Sequence, residues 1–147
     1  MTHSIQSILL GIVLLLVVQA TGIAAEIPYN PDADYAQVKS VRMVSRSNRQ
    51  WDFHVSVFHN DEGWDHYANV WQIVDPADGA VLGERVLAHP HDSEQPFTRS
   101  LTGITIPNGT GEILIRSRCN LHEYDGKEIR ILIPADPSNG QSLIVSE

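Results

Sequence analysis

Between Trp51 and Phe58 every second side chain is large and apolar, with Trp51, Phe53, Val55 and Val57 on one side and Asp52, His54 and Ser56 on the other. A repeat of two is the period of a strand with one face in a core and one in water, and it excludes an amphipathic helix over this run. The same period returns further along. Glu112–Cys119 sets Ile113, Ile115, Ser117 and Cys119 on one face, and residues 127–133 set Ile129, Ile131 and Ile133 against Arg130 and Leu132. Residues 67–75 are rich in aromatic and β-branched side chains and run into Pro76-Ala77-Asp78-Gly79, a reversal from which 80–87 returns as a second arm. Residues 38–45 and 97–106 complete the set, the latter broken by Pro107, Asn108 and Gly109. About seven strands at intervals of about ten residues, with no helical period between them, predict an all-β antiparallel sandwich.

The first 25 residues are of another kind. The run ILLGIVLLLVVQA at 8–20 is uncharged and short for the ~30 Å hydrocarbon core of a bilayer, and Ala24 and Ala25 before Glu26 form a cleavage site. This predicts a cleaved signal peptide over 1–25, a sandwich domain over 26–134 and a loose tail with one short edge strand over 135–147. MTHSIQS, ahead of the apolar run, has no Lys or Arg, a departure from the usual leader. With no cysteine near residue 25, lipid attachment there is excluded. The expectation is a periplasmic or secreted protein with no membrane span after cleavage. All the formal charge follows the leader, 18 acidic against 10 basic side chains for a net −8, which argues against a nucleic-acid partner. Cys119 is the one cysteine, so no disulfide forms within the chain. In an oxidising compartment an unpaired thiol reacts unless it is buried or bound.

Six histidines follow the leader, at 54, 59, 66, 89, 91 and 122, and all but His54 fall in or beside predicted loops. The turns of an antiparallel sandwich gather at its two ends, so residues far apart in sequence can meet there. Imidazole and thiolate together suit iron, copper or zinc rather than a hard ion that takes oxygen. The candidate metal ligands are therefore His59, His66, His89, His91, Cys119 and His122.

Cys119-Asn120-Leu121-His122 resembles the C-terminal ligand turn of the superoxide reductases, the neelaredoxin and desulfoferrodoxin family. His59 with the pair His66-Tyr67 resembles that family's two central histidines, one residue more widely spaced. The resemblance implies a seven-stranded immunoglobulin-like sandwich and an iron held by four imidazoles in a plane with an axial cysteine. It makes His59, His66 and His122 equatorial ligands and Cys119 the axial one. The fourth imidazole of the family comes from an N-terminal Glu-Lys-His loop that this chain lacks, leaving His89 or His91 as substitutes. The implied chemistry is one-electron reduction of superoxide to peroxide, with Glu62, Asp65, Glu123 and Tyr124 as candidate proton sources and a small oxidant or a redox protein as partner. Of these acids, Glu62 and Glu123 are the candidate catalytic residues. The net charge of −8 opposes an anionic substrate. Residues 63–68 and 89–101 also resemble segments of small exported bacterial proteins of unassigned function.

Two other readings use the same residues. A cupredoxin-like copper site, or a carrier of copper or zinc, would take Cys119 and the histidines, although the usual Met beyond the second His is absent, position 127 being Lys. A non-catalytic exported binding module would instead present Trp64, Tyr67 and Tyr124 from its loops.

Overall fold

The structure is a computed structural model that describes residues 26–146; the leader assigned to 1–25 lies outside the described residues. Eight strands form, β1 (Gln37–Ser45), β2 (Gln50–Phe58), β3 (Ala68–Val74), β4 (Val81–Val86), β5 (Phe97–Thr105), β6 (Glu112–Cys119), β7 (Ile129–Leu132) and β8 (Ser142–Ser146). They make two four-stranded antiparallel sheets, ordered β5-β2-β1-β8 and β4-β3-β6-β7. The predicted all-β sandwich is therefore the fold, with eight strands where the alternation indicates about seven. The eighth is β8, the short edge strand expected in the C-terminal segment, which pairs with β1 from Ser40↔Ser146 to Val44↔Ser142. Among the described residues no helix is long and apolar enough to cross a membrane.

The period of two decides what lies between the sheets. Trp51, Phe53, Val55 and Val57 of β2, with Val41 and Met43 of β1, are fully buried and face Trp71 and Ile73 of β3 and Ile113 and Ile115 of β6. On β7 Ile129 and Ile131 are buried while Arg130 and Leu132 face out. Gly83 of β4 lies under this layer, where an added Cβ would come within 3.1 Å of Ile104 and Leu101.

Topology places the loops. The chain passes from one sheet to the other between β2 and β3 (59–67) and again between β4 and β5 (87–96). The β6–β7 turn and the segment leading into β1 reach the same end, because Gln37 pairs with Phe58, Val57 with Phe97 and Ala68 with Cys119. Four segments distant in sequence thus share one end of the sandwich.

Candidate metal centre

His59 follows the last residue of β2 and is fully buried, and Cys119 ends β6 with 1% exposure. His66 lies just ahead of β3. The ligand atoms of these three lie within 4.8 Å of one another, His59 Nε2 3.2 Å from His66 Nε2 and Cys119 Sγ 3.4 Å from His66 Nε2. A tetrahedral or octahedral ion with bonds of about 2.0–2.1 Å to nitrogen and about 2.3 Å to sulfur spaces neighbouring ligand atoms by about 3.0–3.6 Å. The residues present fit such an ion. His122 is not part of that group of three but lies beside the sulfur, its Nδ1 3.2 Å from it and its backbone N–H donating to it at 3.2 Å.

The loops that carry these groups are tied to each other. Asn120 accepts a hydrogen bond from the Tyr67 N–H at 2.9 Å and donates to the carbonyls of Trp64 and Asp65. The residue between the two ligands of the β6–β7 turn therefore fixes the loop that carries His66. On the other side Gln95 accepts from the His59 N–H at 3.1 Å and donates to the His91 carbonyl.

Asp61 is the centre of the second layer. Its side chain is fully buried; Oδ1 accepts from His59 Nδ1 at 2.6 Å and from the Ala68 N–H at 2.9 Å, and Oδ2 accepts from the His91 N–H at 2.7 Å. Burial pushes this carboxyl up, but the hydrogen bonds from His59, Ala68 and His91 outweigh it and hold it below the usual carboxylate range. A neutral ring that donates its Nδ1–H to a carboxylate has its lone pair at Nε2, which in His59 is the atom that meets His66.

His89 and His91 are not brought into the trio. His91 lies behind Asp61, its Nδ1 3.9 Å from Oδ2, stacked flat on Phe97 at 3.7 Å, with His89 4.5 Å away. Among the described residues neither ring nitrogen of His91 has a hydrogen-bond partner. Burial, with the charge of Arg99 next, holds its imidazole below the ordinary value, which favours the neutral ring. Among the proposed proton sources, Glu123 is exposed and 3.8 Å from Arg118, and Tyr124 covers Arg116 at 4.1 Å. The phenol of Tyr124 is raised by burial. Glu62 and Asp65 are exposed in the His66 loop, where the Glu62 N–H donates to the His66 carbonyl at 2.7 Å. Trp64 and Leu121, 66% and 64% exposed, lie in the two loops that carry His66 and His122.

The roles of Asp61 and Gln95 had no signal in the sequence beyond their nearness to His59 and the HPH segment. Trp51, read from its alternation as a core residue, is fully buried, and so is Trp71.

Fold and site together define a β-sandwich with a His/Cys cluster at one end. A protein of Halomicrobium mukohataei named "Putative lipoprotein" is 41% identical over 96 residues, which cover 65% of this chain and 46% of that protein. The chain thus spans less than half the length of the relative it matches. No family model matches the chain, and no solved structure matches it.

Proposed function

We propose that this is an exported protein that holds one transition-metal ion through His59, His66, Cys119 and His122, and that the ion is iron acting in superoxide-reductase fashion. The observation that carries the reading is the convergence of two imidazole Nε2 atoms and one sulfur, from two separate parts of the chain, within 4.8 Å. When bound, iron with a thiolate ligand supplies one electron to a small oxidant. The protein's own part is to orient His59 through Asp61, to lock the turn to the His66 loop through Asn120, and to bury the sulfur. Glu62 and Glu123 are the proposed proton sources; the Glu62 N–H donates to the His66 carbonyl, and the Glu123 carboxylate lies 3.8 Å from Arg118. Export draws support from the apolar leader and from the relative's printed name.

A second reading rests on the trio itself. Two imidazoles and a thiolate are also the ligand set of copper electron-transfer sites. One experiment separates the two. Metal-free protein is titrated with Fe2+ without oxygen and, separately, with Cu2+, and uptake and thiolate charge-transfer absorption are recorded before and after mixing with superoxide. One iron per chain, a band lost in Cys119→Ser, and oxidation by superoxide are the expected results. Preferential copper uptake with an intense thiolate band supports the second reading, and a chain that takes up neither ion overturns both.

A further inference from the structure

Resting on the metal reading above, the geometry points to one more ligand, the backbone carbonyl oxygen of Asp34. This oxygen lies 3.1 Å from His59 Nε2, 3.1 Å from His66 Nε2 and 3.8 Å from Cys119 Sγ. With the 3.2 Å and 3.4 Å separations within the trio, the two 3.1 Å spacings are those of neighbouring atoms around a single ion, and the sulfur stands slightly further from the oxygen. The N-terminal segment therefore does reach the site although it carries no histidine, and it contributes an atom that no side chain encodes.

The cluster brings a carbonyl oxygen, two imidazole nitrogens and a sulfur face to face. Asp61 accepts a hydrogen bond from His59 Nδ1, and His59 Nε2 faces the Asp34 oxygen, which has only lone pairs to offer. A proton on His66 Nε2 answers one of these contacts; a cation answers all of them at once. A mixed set of imidazole, thiolate and carbonyl donors suits a divalent first-row ion.

The fold holds the carbonyl in place from both ends. Fully buried Gln37 accepts from the Asn30 N–H at 2.8 Å and donates to the Asn30 carbonyl at 2.6 Å, while Asn60 donates to the Pro31 carbonyl at 2.8 Å. Beyond Asp34, the Val38 N–H donates to the Lys127 carbonyl, and Gly126 lies so close that an added Cβ would stand 2.0 Å from the Ala36 oxygen. Glycine is required there by the backbone that passes over it. The Asp34 side chain itself is exposed, so it can be changed without touching the site.

The test uses the whole chain labelled with [1-13C]aspartate and loaded with Co2+, with the Zn2+-loaded protein as diamagnetic reference. Co2+ uptake with thiolate absorption is measured first, and its absence overturns the metal reading rather than this one. Given uptake, the Asp34 carbonyl carbon, identified as the resonance missing from Zn2+-loaded Asp34→Ser, is expected to move far outside the carbonyl envelope or to vanish from it. Gly126→Ala, which displaces the segment, should weaken Co2+ binding about tenfold or more. An Asp34 carbon that stays within the envelope of the Co2+ protein overturns the assignment.

Discussion

Asp61 shows how one carboxylate can set the state of a neighbour. Its two oxygens accept three N–H donors, from His59, Ala68 and His91. An asparagine has one acceptor oxygen, so Asp61→Asn must turn its NH2 either on His59 Nδ1 or on the His91 N–H. The first choice favours the His59 tautomer protonated at Nε2, which cannot ligate; the second leaves the 89–96 loop unfastened. Outer-shell changes of this kind cost about 10–100-fold in metal affinity, and an unsatisfied buried donor costs about 1–3 kcal/mol. Competition with a chromophoric chelator and denaturant unfolding of the metal-free form measure the two effects.

His91 makes a second prediction at this scale. Its folded value is depressed by burial, so between that value and the ordinary one near 6.5 the unfolded chain binds the extra proton and the folded chain does not. The contribution is present in full above about 6.5 and is lost as pH falls through the folded value. Metal-free protein should therefore lose stability from pH 7 towards 5. His91→Phe, which keeps the stack on Phe97, should flatten that slope in thermal unfolding curves; an unchanged slope would assign the loss to other groups.

Among the elements, the strands were legible because a residue's side of the sheet follows from its parity, and β6 falls on Glu112–Cys119 as the alternation indicates. β8 was harder to read. Its five residues follow a stretch rich in Pro, Ser, Asn and Gly, and only one neighbour, β1, defines its register. The gathering of His59, His66, Cys119 and His122 was legible from turn geometry, whereas the place of His91 was not: spacing cannot say that a carboxylate stands between it and the trio. Nor can a sequence mark a backbone carbonyl as functional, since every residue has one. The turn itself offers a test. Asn120→Ala removes three hydrogen bonds that join the β6–β7 turn to the His66 loop. At about 0.5–1.5 kcal/mol per bond, a loss of about 1.5–4.5 kcal/mol is expected, with faster amide exchange in residues 63–67 and weaker metal binding. Protection unchanged in that loop would show that the turn is held by other contacts.

For the whole molecule, the site's position matters more than any one ligand. His59 follows a strand of one sheet, while His66 and Cys119 border strands of the other, so an ion bound by all three pins the two sheets at one end. An ion that binds the folded chain alone stabilises it by RT ln(1 + [L]/Kd), about 2.7 kcal/mol at a free concentration of 100 Kd. For a domain of this size that raises Tm by several degrees, about 2–4 °C per kcal/mol at the upper end of the size range and more below it. Because the sulfur lies in the core cluster with Trp51, Trp71 and Ile115, its loss as a ligand need not undo the sandwich. Calorimetry of the Fe2+-loaded, chelator-treated and Cys119→Ser proteins should give a Tm that rises with free metal in the first and is insensitive to it in the third. A metal-dependent rise of equal size in Cys119→Ser would place the stabilising ion elsewhere on the molecule.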